Sequence, residues 1–272
     1  MNESTEAYVH GYRSNEKRRL THQATTLAEL LHCDTEFPDG STVLEVGCGT
    51  GAQTIILAAR NPRTRFTSMD INADSIAQAE RKVVQAGLTN VEFRQANLFE
   101  PPFEADSFDH VFVCFVLEHL AEPAEGLALM TGLLKRGGTM TVIEGDHGST
   151  YFHPDSAAAE AAVKCQVTLQ RNLGGNALIG RQLYPLMTTA GLEQVRVSPR
   201  MVYVDSSRPE LVDGFTRKTF IAMIEGVRES ASQAGLTTLA DFDAGVRDLY
   251  RTTETDGVFC YTFFKGTGHK EK

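Results

Sequence analysis

No apolar run in this 272-residue chain approaches the roughly 20 residues that cross a bilayer. Membrane insertion is therefore not expected. The opening stretch MNESTEAYVHGYRSNEKRR has no apolar core of the kind a secretory signal needs, so a cytoplasmic location is the expectation. Basic charge is scarce as well: 26 Lys and Arg stand against 35 Asp and Glu, a formal charge of −9. Proteins that grip a phosphate backbone usually present a basic face. Here the cations are scattered, and the one short cluster, Lys17, Arg18 and Arg19, reads as a solvated helix face. No nucleic-acid partner is expected. The five cysteines, at 33, 48, 114, 165 and 260, form no CxxC pair and no His-linked metal pattern. Such a dispersed, odd set fits a reducing compartment, with each thiol serving as a small buried apolar group. Repeats and low-complexity segments are missing too. What remains, 42% apolar and 22% charged residues, is the balance of an ordinary globule. The length suits one large domain or one domain with an insertion.

The middle of the chain alternates strand and helix signals. STVLEVG, RFTSMDI, NVEFRQANL, FDHVFVCFVLEHL and TMTVIEGD read as five strands. Between them lie GAQTIILAARNP, stopped by Asn61-Pro62, then NADSIAQAERKVVQAG, capped by Asn72 or Asp74, and EPAEGLALMTGLLKRGG, with Pro123 in its first turn. This rhythm implies an α/β fold with a Rossmann-like, doubly wound, mostly parallel sheet. Beyond it the rhythm changes. Two helices, a strand, two further helices and a last strand, GVFCYTFFKG, follow. Ser207 and Glu210 have capping-box spacing ahead of a broad apolar stripe. The segment of about 206–255 is read as an inserted helical cap that covers a site or joins two subunits as a homodimer; a helical pad on the core is the alternative. The chain is expected to be a single domain over 1–272: an N-terminal helical lid (1–40), a ligand-binding core (41–146) and a substrate-side half (147–272).

The stretch LEVGCGTGAQ, Leu44 to Gln53, falls where the first strand turns into a helix. Glycines there permit left-handed backbone and close ligand approach. The spacing of Gly47, Gly49 and Ala52 also satisfies a loose dinucleotide pattern. Glu45 argues against that ligand. A carboxylate at the strand end suits a cationic ammonium group and repels a pyrophosphate. Asp70, ending the second strand, is placed to accept ribose hydroxyls. Asn97 ends the third strand, where an amide suits an adenine edge with Leu98 packed on the ring.

Together, Glu45, Gly47, Gly49, Gly51, Asp70, Asn97, Phe108-Asp109, Leu117-Glu118-His119 and Gly137-Gly138 resemble the class I S-adenosylmethionine-dependent methyltransferases. The likeness is to the ubiquinone/menaquinone biosynthesis (type 11) branch and runs from about Val43 to Glu144. It implies a seven-stranded sheet whose last strand is antiparallel, S-adenosylmethionine as cofactor and S-adenosylhomocysteine as product. It also implies that Glu45, Gly47 and Gly49 line the methionine moiety, with Cys48 and Gly51 in the same bend. Asp70 takes the ribose, Ile71 packs on adenine, and Asn97 and Leu98 bracket it. Cys114 offers its backbone carbonyl to the ammonium group, beside Phe115. Position 97 departs from the common pattern, where Asp is frequent; Asn keeps the acceptor and drops the charge. Tyr12 and Gln23 are expected to close the pocket from the N-terminal segment.

Methyl transfer from a sulfonium mainly requires alignment, and a base only when the nucleophile carries a proton. The density of titratable groups in EGDHGSTYFHP makes His147 and Asp146 the first catalytic candidates, with His119 of the LEH element third. Position 115 is Phe rather than an acid, so no metal is expected. The expected substrate is a small molecule methylated at O, N, S or activated C. The alternatives are a protein that binds the cofactor without transfer, a methyltransferase acting on protein or RNA, and a nicotinamide-dependent dehydrogenase.

Overall fold

The structure, a computed structural model, describes residues 14–271. Tyr12 therefore lies outside the described residues. Seven strands form one sheet in the order β3-β2-β1-β4-β5-β7-β6. They are β1 (Thr42–Val46), β2 (Arg65–Asp70), β3 (Val91–Gln95), β4 (Phe108–Cys114), β5 (Leu134–His153), β6 (Leu192–Val204) and β7 (Val258–Lys270). The first five are parallel and the last strands run antiparallel.

By its contacts the chain divides into two compact units. One holds Ala28–Gly145, Ile179–Arg200 and Phe263–Lys272. It contains β1 to β4 whole and the parts of β5, β6 and β7 within those bounds. Helices α2 (Ala52–Arg60), α3 (Ala73–Gln85), α4 (Pro123–Leu133) and α6 (Leu183–Thr189) also belong to it. Local chemistry sets several of their ends. Asn72 caps α3 through its side chain, which accepts from the Ser75 amide at 2.8 Å. Pro123 opens α4, where its missing N–H costs nothing. The core runs from Leu44 and Val46 through Val111 and Val113 to Met140 and Val142, and is closed by Leu127, Met130, Ile179 and Leu183. The central strand β4 is apolar on both faces, as a parallel strand between helix layers must be.

The other unit holds, among the described residues, 14–27, Asp146–Leu178 and Met201–Thr262. Its core is aromatic: Phe220 lies 4.7 Å from Phe259 and 5.7 Å from Tyr261, ring centre to ring centre, with Phe215 alongside. Helix α5 (Ala157–Asn172) packs on α10 (Leu239–Arg251) at Gly245. A Cβ there would lie 2.3 Å from the Ala158 carbonyl oxygen, so only glycine allows the approach.

Three readings are corrected. First, β5 does not end at Asp146. It continues to His153, so that EGDHGSTYFH is strand rather than loop. Second, the capping box at Ser207 and Glu210 does not form. The Ser207 hydroxyl donates to Asp205 at 2.5 Å, and the first turn, α7 (Pro209–Leu211), begins after Arg208. The stripe beyond it is no single α-helix: a π-helical stretch, Val212–Ile221, leads into the short α8 (Ala222–Glu225) and α9 (Arg228–Gln233). There the Thr219 hydroxyl donates to the Gly214 carbonyl five residues back. Third, Cys33 is exposed, while the other four cysteines are buried and all five are free.

Candidate functional site

The site is built where β1, β2 and β4 end, inside the sheet-bearing unit. β1 delivers Glu45 and then breaks into a bend with Gly47, Gly49 and Gly51 all at positive φ. The bend is pinned from β2, since the Gly47 and Cys48 amides donate to the Met69 carbonyl. Two of these glycines have different reasons. A Cβ on Gly47 would fall 2.4 Å from Val116 Cγ2, a packing demand. Among the described residues a Cβ on Gly49 would meet nothing within 4 Å, so they leave the space above it open, as a ligand cradle requires.

Glu45 is 2% exposed. Its Oε2 accepts from the Thr54 hydroxyl at 2.7 Å and the Ser68 hydroxyl at 2.6 Å. Burial, and secondarily the charge of Asp70, pushes its carboxyl up to about 6 despite those two bonds. Asp70 accepts from the Gly49 amide through one oxygen, at 2.8 Å, and from the Asn72 amide through the other. Burial raises its pKa too. Asp70 thus ties the glycine bend to the end of β2.

β4 ends at Cys114, buried, followed by Phe115 in left-handed conformation. Its ring lies 5.4 Å from that of Phe263. A 3₁₀ turn, Leu117–His119, comes next. Glu144 on β5 is wholly buried and caps this turn: Oε1 accepts from the Val116 and Leu117 amides at 2.9 and 2.7 Å, while Oε2 has no partner among the described residues. Burial and the nearby Glu118 hold the Glu144 carboxyl well above its ordinary range. His119 Nε2 lies 3.6 Å from Glu118. The four carboxyls are electrostatic neighbours. Burial first, then Glu144, Glu45 and Glu118, raise the Cys114 thiol; burial, Glu45 and Asp70 raise that of Cys48. The site is thus an electronegative bend, hostile to a pyrophosphate and suited to a cation.

Ile71 is exposed beside Asp70, an apolar side chain left open at the strand end. Asn97 is exposed, and its Oδ1 accepts from the Phe99 amide. Leu98 is buried in the core cluster. In the other unit, Gln23 is buried and accepts from Arg19 at 3.0 Å. There too Asp146 is buried and accepts from the Gly148 amide. Buried His147 bonds through Nδ1 to the Tyr261 hydroxyl at 2.6 Å.

Thr54, Ser68 and Tyr261 were not anticipated. Ser68 faces Glu45 in the β1–β2 register, and nothing in the sequence announces that pairing before the register is known. Tyr261 reads simply as core in an aromatic strand.

The fold and the bend define a nucleoside-binding α/β protein with a site for a cationic ligand. Residues 38–191 match the methyltransferase domain family, and the chain belongs to it. S-adenosylmethionine is the cofactor of such enzymes. An uncharacterised 37.1 kDa protein in transposon TN4556 of Streptomyces fradiae is 33% identical over 205 residues, 74% of this chain and 58% of that one. A demethylmenaquinone methyltransferase of Bacillus cytotoxicus is 36% identical over 106 residues, 39% of this chain and 45% of that one. The chain thus spans about half the length of these curated relatives. Among solved structures, a phosphoethanolamine N-methyltransferase of Haemonchus contortus bound to S-adenosylhomocysteine superposes with a TM-score of 0.57 at 16% identity. That match covers 91% of this chain and 53% of the other. No helix among the described residues is long and apolar enough to cross a membrane.

Proposed function

We propose that the chain transfers a methyl group from S-adenosylmethionine to a small-molecule acceptor at O, N, S or an activated carbon. The observation that carries this is the bend itself: open space above Gly49, flanked by the carboxylates of Glu45 and Asp70. The residues fit the cofactor. Glu45 and the backbone at Cys114 would hold the ammonium group, and Asp70 the ribose. Ile71, Asn97 and Leu98 would hold the adenine, with Cys48, Gly51 and Phe115 shaping the walls. Tyr12 and Gln23 would close over it. When bound, the cofactor supplies a methyl group already activated on a sulfonium.

The protein's part is alignment and proton handling. Asp70 and Glu144 fix the two loops, 47–51 and 116–119, that border the bend. Where the acceptor carries a proton, His147 is the proposed base, with its ring orientation set by the Tyr261 hydroxyl. Asp146 fixes the backbone that carries His147, and His119 braces the 3₁₀ turn through Glu118. Residues 41–146 form the proposed cofactor core, 1–40 the lid, and the insertion at about 206–255 serves acceptor binding. The similarity to a demethylmenaquinone methyltransferase supports a small acceptor, and the charge of −9 weighs against RNA. The five dispersed, free cysteines support a reducing compartment, and we place the protein in the cytoplasm.

Calorimetry with S-adenosylhomocysteine against NAD tests the cofactor, and turnover of labelled donor over an acceptor panel tests the reaction. No binding of S-adenosylhomocysteine at millimolar concentration would overturn both. Binding without transfer to any small acceptor would favour a cofactor-binding protein or a macromolecular acceptor.

A further inference from the structure

A cleft of about 390 Å³ lies within the sheet-bearing unit, between the segment 34–37 and the face of β5, β7 and β6. None of its lining groups belongs to the proposed cofactor set. The sheet register places it toward the starts of the parallel strands: Thr139 and Thr141 line it and pair with His110 and Phe112, short of the β4 end at Cys114. It is a different place on the sheet from the glycine bend.

Its charge differs from that of the bend as well. Arg196, Arg200 and Lys265 line it, together with Ser198, Thr267 and His269. Two carboxylates, Asp34 and Glu36, are also present. Asp34 is already committed, because it accepts from Lys265 at 2.6 Å and from Arg200. Burial tends to raise Asp34, but these two cations overcome it and hold the carboxyl near 2. Among the described residues Arg196 makes no ion pair. Arg200 Nε is buried without an acceptor. Cations thus outnumber acids here in a chain of net charge −9, and two guanidinium groups keep N–H donors in reserve. Phe37 supplies an apolar wall, and the hydroxyls supply further donors. Ligand cavities run from about 300 to 1,000 Å³, so this one has room for a small ligand.

We propose that this cleft is a second binding site, for a small metabolite that carries a terminal oxyanion, a carboxylate or a phosphate ester. Arg196 is its principal anchor and Arg200 its inner one. The proposal does not depend on the methyl-transfer reading, and its failure would leave that reading untouched.

Thermal unfolding of the full chain in inorganic phosphate or in succinate, at constant ionic strength balanced with sodium chloride, reads the site through linked stabilisation. A rise in Tm that becomes linear in the logarithm of concentration is expected with at least one of the two anions. Arg196→Ala should need roughly tenfold more anion for the same rise, the loss of one charge-assisted hydrogen bond. Its Tm without anion should be unchanged, because the side chain is exposed and unpaired among the described residues. A logarithmic rise with phosphate alone assigns the ligand to phosphate esters, and with succinate alone to carboxylates. No rise with either anion overturns the proposal. So does a rise that grows in proportion to concentration throughout, or one of equal size in Arg196→Ala, because exclusion of anions from the surface stabilises any fold.

Discussion

Glu45 sets stability against function, and Glu45→Gln separates the two. In the native state its carboxyl titrates near 6 against an ordinary 4.5, mainly because it is buried. The difference of 1.5, at 1.36 kcal/mol per unit, is about 2 kcal/mol. The sign follows from where protons bind. Between pH 6 and 4.5 the folded chain holds this proton and the unfolded chain does not, so stability from this group rises as pH falls. Above pH 6 the buried charge costs the full amount. Gln keeps the shape and an oxygen for the Thr54 and Ser68 hydroxyls. We therefore expect Glu45→Gln to be up to about 2 kcal/mol more stable than the parent at pH 7.5. The gain should fade to nothing near pH 4.5. The same change should weaken S-adenosylhomocysteine binding about 10- to 100-fold, because an ammonium–carboxylate bond is lost. Urea unfolding across that pH range and calorimetry at pH 7.5 measure both. A variant that is less stable at pH 7.5 and binds as tightly as the parent would refute the reasoning.

The two glycines should behave differently. Gly47→Ala combines left-handed strain with the clash on Val116 and should destabilise by about 2 kcal/mol or more, read by urea unfolding. Gly49→Ala adds strain alone, about 1 kcal/mol, yet should abolish donor binding by placing a methyl in the open space, read by calorimetry. Asp70→Asn turns one acceptor oxygen into a donor facing either the Gly49 or the Asn72 amide; donor affinity should fall at least tenfold and the bend should loosen. His32 is buried, which lowers its pKa to about 4 from 6.5, with Lys265 and Arg60 adding to the effect against the bond to Gln53. Its contribution is whole above pH 6.5 and is lost as pH falls to 4, about 3 kcal/mol in all. His32→Phe should flatten the stability–pH curve between pH 6.5 and 4, and an unchanged slope would refute this.

Much of the sheet-bearing unit was legible in the sequence. Strands β1 and β2, the Asn72 cap and Pro123 at the start of α4 rest on signals only a few residues long and formed where those signals stood; β3 and β4 formed too, but stop at Gln95 and Cys114, short of Asn97 and of the LEH element. So did the bend after Glu45, because left-handed backbone is written directly as glycine. The run to His153 on β5 was not legible. A strand continues as long as a neighbour offers hydrogen bonds, and EGDHGSTYFH carries no local sign of that neighbour. The Ser207–Glu210 spacing misled for the converse reason: Asp205 offered the serine hydroxyl a nearer acceptor. The composition and order of residues determined the fold class, the bend and its acidic flank. Tertiary structure alone decided that Glu45 meets Ser68 across two strands, that Glu144 caps the turn after β4, and that Arg196 stands over a cleft, unpaired among the described residues. Glycine spacing and capping act within a few residues, whereas burial and pairing depend on groups the chain brings together only when it closes.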